Sequence, residues 1–216
     1  MEKNFTISSA LRGGWEALKP NFLVLLGLMI GYVFLASLIS WPSTLHPENF
    51  SLQIGTSLIL MILAASFSLG YLKMCLDAVD GNEPLFSAFS ETFRIMLPYI
   101  ALYFLYVLIV LSGIILLIIP GIYLGIRLQF APLCMIEGAG IMEAFKKSWK
   151  LSKGNMLKLT LLYLIYFGLV LAGIIVLIVG VFVAAVWCQL IMTQTYRLLQ
   201  QDQEEAERLN VPADLS

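Results

Sequence analysis

Apolar residues form long runs along this chain, separated by short polar segments. Each run approaches the roughly 20 residues that an α-helix needs to cross the hydrocarbon core of a bilayer. We therefore expect an all-α membrane fold, with a single polytopic domain over residues 1–199 and an acidic, partly disordered tail at 200–216. The runs predict six transmembrane helices, at residues 22–40, 54–75, 97–118, 121–137, 157–177 and 180–197.

Amphipathic segments precede each of three predicted hairpins. In residues 141–153, a helical periodicity of about 100° per residue gathers apolar side chains on one arc and lysines on the opposite arc. The same two-faced pattern returns at 85–96 and at 7–19. A helix that lies along the membrane surface must turn to enter the bilayer, so we expect a helix-breaking residue at each turn. The candidate breaks are Pro20, Pro98 and Gly154.

The spans themselves also repeat. The stretch "LSGIILLIIPG" at 111–121 lies over "LAGIIVLIVGV" at 171–181. Together with the amphipathic segments, this similarity predicts three repeat units, each an amphipathic interfacial helix followed by a two-helix hairpin. Because every unit contains two spans, all three keep the same orientation in the membrane. The predicted units are about 6–76, 84–137 and 140–197.

The positions of lysine and arginine predict the orientation, because basic residues near span ends stay on the cytoplasmic side. Basic residues precede the first span, lie in or beside the connections between hairpins, and follow the last span. The loop at 41–50 has none, and neither do the tight turns expected at "IIPG" (118–121) and near "IVG" (178–180). Both termini are therefore predicted to be cytoplasmic.

Three aromatic residues are expected to anchor the amphipathic helices at the level of the lipid headgroups. An apolar ring suits that level, and an indole ring adds one N–H donor. The alternative is that these helices pack on the cytoplasmic ends of the spans as part of the core, and the two interpretations are compatible. The expected interfacial anchors are Trp15, Trp149 and Phe93.

Composition and charge narrow the class of protein. Apolar residues make up 60% of the chain and charged residues 12%, whereas soluble globular chains contain about 25% charged residues. A soluble domain of this composition could not cover its surface with polar groups. The net charge is −1, and no basic patch interleaved with aromatic residues is present, so nucleic acid is not an expected partner.

Arg127 is the main candidate for a functional residue, because it lies inside a predicted span and no Asp or Glu lies in the apolar part of any span. On insertion scales such a residue costs at least about 2.5 kcal/mol. One hypothesis is that Arg127 binds a lipid phosphate or an anionic solute within the bundle. The alternative is a structural role, in which it snorkels or donates to Gln189, tyrosine or backbone carbonyl groups. The lysines of the third amphipathic helix also favour an anionic leaflet, and they are Lys146, Lys147, Lys150 and Lys153.

Residues for catalysis or metal binding are sparse. The only histidine, His46, lies in a loop without the cysteines or carboxylates of a metal site. No nucleophile elbow, zinc-protease, phosphate-loop or dinucleotide motif occurs. Three isolated cysteines, Cys75, Cys134 and Cys188, form no paired pattern. We expect no catalytic residue, no metal and no cofactor.

A family resemblance covers the chain up to Gln200. The segments "SSALRGGWEALKPN", "LDAVDGNEPLFSAF" and "IPGIYLGIRLQFAPLCMIEGAGIMEAFKKSWKLSKGN" resemble a broad group of bacterial integral membrane proteins of unknown function. This group includes the membrane domain attached to some glycerophosphodiester phosphodiesterases. The residues that match most specifically lie between Pro120 and Asn155: Pro120, Gly121, Arg127, Glu137, Gly138, Ala144, Ser148, Trp149, Leu151 and Gly154.

The resemblance implies a location in the bacterial cytoplasmic (inner) membrane and proximity to lipid metabolism. In those phosphodiesterases, the reaction belongs to a separate soluble barrel domain that this sequence does not contain, so no enzymatic activity is carried over.

Two functions remain on these grounds, because a third, an intramembrane enzyme, lacks any acid–base pair. The first is a non-catalytic integral membrane protein that associates with membrane lipids or acts as a scaffold. The alternative is a transporter or exporter of a small amphiphilic or lipid-like substrate, although polar residues in the spans are few. Small residues spaced by four, such as Gly27 and Gly31, allow close helix packing within the chain or, less readily, in a homo-oligomer or with another membrane protein.

Overall fold

The computed structural model describes residues 5–175 and 178–209, and every regular element among them is a helix. The all-α fold is therefore confirmed for this part of the chain. A short 3₁₀ turn, Phe93–Ile95, joins α3 to α4. The α-helices are α1 (Ile7–Leu45), α2 (Phe50–Val79), α3 (Ser87–Thr92), α4 (Met96–Leu116), α5 (Ile118–Leu128), α6 (Ala131–Ile136), α7 (Ile141–Ser152), α8 (Met156–Ile175) and α9 (Ile178–Leu209).

Within the described ranges, five helical segments are long and apolar enough to cross a membrane: 7–45, 50–79, 87–116, 118–136 and 156–175. Large apolar side chains remain exposed along them, for example Leu23 at 80%, Ile115 at 77% and Leu157 at 83%. In water such a surface would be strongly unfavourable, whereas in a bilayer it contacts lipid chains. These features indicate a multi-pass membrane protein. The sixth predicted span, 180–197, lies in the first part of α9.

The first predicted break, at Pro20, is wrong. Helix α1 runs without interruption from Ile7 to Leu45 and contains Pro20 in its interior, so the first unit has no separate lead-in helix. An interior proline costs about 3 kcal/mol because it removes one backbone hydrogen bond and crowds the preceding turn. Two contacts offset this cost: the Asn21 side chain donates to the Ala17 carbonyl at 3.1 Å, and the first half of α1 packs against α9.

The other two predicted breaks have different outcomes. Pro98 does not interrupt a helix. It occupies the first turn of α4, where the backbone N–H has no intrahelical partner, so a proline loses no hydrogen bond there. The change of helix occurs just before it, in the 3₁₀ turn. Gly154 is a true break: it has a φ of +85°, α7 ends at Ser152 and α8 begins at Met156. A left-handed residue of this kind favours glycine.

The expected turn at "IIPG" is displaced towards the N-terminus. The break falls at Leu117, whose backbone is extended (φ −163°, ψ 140°), and Pro120 lies in the first turn of α5. The same preference of proline for the start of a helix explains the shift. In the third hairpin, "IVG" (178–180) forms the first residues of α9, and residues 176–177, between α8 and α9, lie outside the described part of the chain.

Glycines set how closely the paired helices approach. A methyl group added at Gly121 would lie 2.6 Å from the backbone nitrogen of Ile114, so α5 and α4 are almost in backbone contact there. At Gly173 in α8, an added methyl group would lie 2.7 Å from the Gly180 carbonyl oxygen of α9. Small residues that let backbones touch are a main source of helix association in lipid.

Helix α9 lies at the centre of the bundle, where it contacts α1, α8, α2 and α7. Its contact with α1 is the most extensive between any two described helices. At this crossing, an added methyl group on Gly14 would lie 3.0 Å from the backbone of Ile191, which is itself fully buried. The first and last helices of the chain are therefore direct neighbours.

Replacing Gly121 with alanine should destabilise the second hairpin, because the new methyl group overlaps the Ile114 backbone. Overpacking of this kind costs about 1–3 kcal/mol, which should lower the midpoint of thermal unfolding in detergent by several degrees. The matched control is Gly27→Ala in α1, where nothing lies within 4 Å of the added methyl group. Equal midpoints for the two variants would contradict the close approach of α4 and α5.

Candidate functional site

The fourth predicted span is broken just after Arg127. Helix α5 ends at Leu128 and α6 begins at Ala131. Pro132, in the first turn of α6, has no N–H to donate to the carbonyl four residues before it, so the two helices cannot be continuous without a lost bond. The predicted span at 121–137 thus corresponds to the membrane-spanning segment 118–136, which consists of two helices, α5 and α6, with an interruption at 129–130. The break leaves backbone groups that need partners, since little water is available inside the bundle.

Two serines of α7 supply those partners. The Ser148 hydroxyl accepts a hydrogen bond from the Phe130 backbone N–H at 3.1 Å and donates to the Arg127 carbonyl oxygen at 2.8 Å. The Ser152 hydroxyl lies 3.0 Å from the same carbonyl oxygen. Both serines are completely buried. They lie four residues apart, on one face of α7, so this face is fixed against the broken span.

The Arg127 side chain lies between two aromatic rings. Its guanidinium carbon is 4.6 Å from the ring centroid of Trp149 and 5.0 Å from that of Tyr123, within the range of cation–π contact. One terminal nitrogen donates to the Tyr123 hydroxyl at 2.6 Å, and the other donates to the Trp149 carbonyl at 3.3 Å. The buried Nε has no partner among the described residues. Arg127 also lies in the last turn of α5, where a cation complements the helix dipole.

These contacts match the structural alternative weighed for Arg127, which was donation to tyrosine or to a backbone carbonyl. Gln189 is not among the observed partners. A different glutamine, Gln129, contacts a tyrosine: its side-chain oxygen accepts a hydrogen bond from the Tyr163 hydroxyl at 2.6 Å. Arg127 lines none of the five best-defined surface grooves in the described part of the chain, which measure from 260 to 570 Å³.

The opposite face of α7 is basic and exposed. Because Ser148 and Ser152 face inwards, together with Ala144 and Leu151, the remaining positions of the helix point outwards. Between the two faces lies Trp149, which is 42% exposed and packs edge-on against Tyr123 at 6.2 Å. We call the exposed basic residues here the basic face of α7: Lys146, Lys147 and Lys150 on the helix, and Lys153 directly after its last residue.

Two of the four lysines have carboxylate partners. Lys147 Nζ lies 3.0 Å from Glu143 Oε1 on the same helix, and Lys150 Nζ lies 2.5 Å from Glu207 Oε1 near the end of α9. The hydrogen bond from Lys147 lowers the pKa of Glu143, and it raises the pKa of Lys147 in return. Lys146 and Lys153 have no carboxylate partner among the described residues. Two cations of the α7 face are therefore free to contact an anion.

The other expected anchors have different surroundings. Trp15 is 44% exposed and packs edge-on against Trp187 of α9, with ring centroids 5.3 Å apart. This contact is of the kind expected if the first amphipathic segment packs against the bundle. Phe93 is 64% exposed and lies in the 3₁₀ turn before α4. The structure thus places the Arg127 guanidinium group against the Trp149 ring. Trp15 and Phe93 are not among the aromatic partners of these two residues.

A charged cluster that joins the ends of α2 and α6 to the interior of α9 was not foreseen from the sequence. Arg197 of α9 pairs with Asp80, at the end of α2, and with Glu137, at the end of α6. The Tyr196 hydroxyl and the Gln200 amide also donate to Glu137. Each carboxylate directly precedes a glycine with positive φ, Gly81 (+79°) or Gly138 (+97°). The cluster therefore holds the ends of α2 and α6 against α9.

Comparisons with protein-family models, with curated proteins and with solved structures find no match to this chain. The resemblance to the membrane domain of glycerophosphodiester phosphodiesterases accordingly remains a hypothesis that depends on the quoted segments. The case for function therefore comes from the geometry of α5, α7 and α9.

Sequence reasoning missed Ser148 and Ser152 as structural residues. The available signal was a pair of serines four residues apart on the apolar arc of an amphipathic helix. A polar side chain on an apolar face needs a buried partner. The partner was not identifiable without knowing that the preceding span is broken beside α7.

Replacing Ser148 with alanine should destabilise the protein by about 1–3 kcal/mol, because the Phe130 N–H would lose its partner in a buried site. Ser152→Ala should cost less, since the Arg127 carbonyl keeps its bond from Ser148. The measurement is the midpoint of thermal unfolding in detergent. Ser90→Ala is the control, because Ser90 is exposed and bonds only its own helix. Equal midpoints for Ser148→Ala and Ser90→Ala would contradict the assigned role.

Proposed function

We propose that this protein is a non-catalytic integral protein of the bacterial cytoplasmic membrane that binds anionic lipid headgroups along helix α7. The single observation that carries the proposal is the two-sided character of α7. Its buried serines fix it to the bundle, while its lysines remain exposed beside the half-exposed Trp149. Lysines near an anionic leaflet contribute about 1 kcal/mol each, and a tryptophan ring favours the headgroup level.

Arg127 contributes to this surface by orienting Trp149, whose ring and backbone carbonyl it contacts. Its position between the rings of Trp149 and Tyr123 keeps the guanidinium group in place.

The proposed topology has six spans and both termini in the cytoplasm. Helix α9 contains 32 residues, enough for one crossing of about 20 residues and a cytoplasmic extension. The described end of α9 carries Asp202, Glu204, Glu205 and Glu207, and charged residues of this density are not compatible with the hydrocarbon core. Most basic residues lie near the ends assigned to the cytoplasm.

Neutralising the unpaired lysines should reduce the retention of anionic lipid. The variant is Lys146→Gln with Lys153→Gln, and the measurement is native mass spectrometry of protein incubated with equimolar phosphatidylglycerol and phosphatidylcholine. We expect the ratio of bound phosphatidylglycerol to phosphatidylcholine to fall about tenfold at low salt, because two surface cations are lost.

The matched control is Arg12→Gln with Lys19→Gln, which removes two exposed cations from α1. An equal fall in both double variants would show that net charge, not α7, sets lipid preference. Arg127→Gln is tested alongside. If it leaves folding, abundance and lipid retention unchanged, the lipid role of Arg127 is excluded.

Reporter fusions at the two ends of the chain should distinguish six spans from five. An even number of spans places the termini on the same side, so a cytoplasm-active fluorescent reporter should work at both ends, and a periplasm-active phosphatase at neither. A phosphatase that is active at one end only would show an odd number of spans. A fusion in the loop at 46–49, between α1 and α2, serves as the external control.

A further inference from the structure

The last residues of α9 extend past the part of the helix that packs in the bundle, and they carry more carboxylates than basic side chains. We call residues 202–209 the acidic end of α9. Successive turns bring Gln200, Gln203, Glu204 and Glu207 to one side of the helix. Together with Lys147 and Lys150 of α7, these four side chains line a groove of 260 Å³. The acidic end therefore lies directly beside the basic face of α7.

Two contacts hold the acidic end of α9 in this arrangement. In the groove, Lys150 Nζ lies 2.5 Å from Glu207 Oε1. At the start of the acidic end, Asp202 accepts a hydrogen bond from the backbone N–H of the fully buried Phe5 at 3.2 Å. The carbonyl oxygen of Phe5 in turn accepts from Lys158 Nζ, at the start of α8, at 2.6 Å. The N-terminal segment thus ties the acidic end to α8, close to α7.

The ion pair itself is exposed and weak. The Lys150 and Glu207 side chains are 61% and 66% exposed, and exposed pairs of this kind contribute little because water and salt screen them. The hydrogen bond from Lys150 lowers the pKa of Glu207, so the carboxylate is charged throughout the physiological range. A weak contact made by a firmly anchored helix can open and close without disturbing the bundle.

We propose that the acidic end of α9 competes with anionic lipid for the basic face of α7, so that Glu207 lowers lipid binding by occupying Lys150. This inference rests on the proposed function, because it concerns the same lysine face. A phosphate group and the Glu207 carboxylate present the same charge and the same acceptor oxygens to Lys150. The surface consequently has two states, one closed by the chain's own carboxylates and one open to lipid.

The decisive variant is Glu207→Gln, which removes the competing charge and keeps the size of the side chain. The ratio of bound phosphatidylglycerol to phosphatidylcholine, measured by native mass spectrometry, should rise about threefold at low salt and approach the wild-type ratio as salt is added. Glu204→Gln, on the same groove, should raise the ratio in the same direction. Both side chains are exposed, so the midpoint of thermal unfolding should not change.

Two controls separate competition from a general effect of charge. Glu91→Gln removes an exposed carboxylate from α3, outside the groove, and should leave the ratio unchanged. In a Lys150→Gln background, Glu207→Gln should also change nothing, because the lysine that it releases is absent. A rise as large in Glu91→Gln, or in the Lys150→Gln background, would overturn the inference.

The outcomes also distinguish this inference from the function on which it rests. If neutralising Lys146 and Lys153 leaves lipid preference unchanged, the proposed function fails and the inference fails with it. If that neutralisation lowers the preference while Glu207→Gln does not raise it, lipid binding by α7 stands and the competition is excluded. A fall in one experiment and a rise in the other support both.

Discussion

The need to satisfy backbone hydrogen bonds away from water determines how this bundle is arranged. The apolar segment that contains Pro132 is interrupted at 129–130, and the carbonyl and N–H groups at the break must find partners within the protein. Ser148 and Ser152 of α7 are those partners. By meeting this need they fix α7 in one rotational setting, which turns its lysines outwards and brings Trp149 over Arg127. Local chemistry at one interrupted helix thus decides which surface is basic.

Hydropathy predicted the helical class and the approximate positions of most spans, because length and apolar content are properties of each segment alone. The breaks were less predictable. Pro20 costs a hydrogen bond wherever it occurs, yet α1 continues through it because the helix packs against α9. Gly154 does lie at a helix break, because its φ of +85° is outside the α-helical region. The sequence shows the local cost of a residue, whereas the outcome depends on contacts made by distant parts of the chain.

The hydrogen bonds and ion pairs between successive hairpins could not be predicted from the local sequence either. The Ser68 hydroxyl of α2 lies 2.7 Å from the Tyr99 hydroxyl of α4, and Tyr163 of α8 donates to Gln129 after α5. In both cases, a polar group at the second member of one hairpin meets a tyrosine at the start of the next. Arg197 extends the scheme by joining carboxylates that end two earlier helices. Such polar contacts fix the relative rotation of helices that have no hydrophobic reason to associate in lipid.

The crossing of α1 with α9 has a consequence for biogenesis. A nascent chain enters the membrane from its N-terminus. The face of α1 around Gly14 therefore cannot contact Ile191 until almost the whole protein has been synthesised. During that interval, only lipid or the insertion machinery can contact this face, and such contacts are temporary. A chain that stops before α9 would leave this face open for good, which gives a quality-control protease a simple way to recognise an unfinished product.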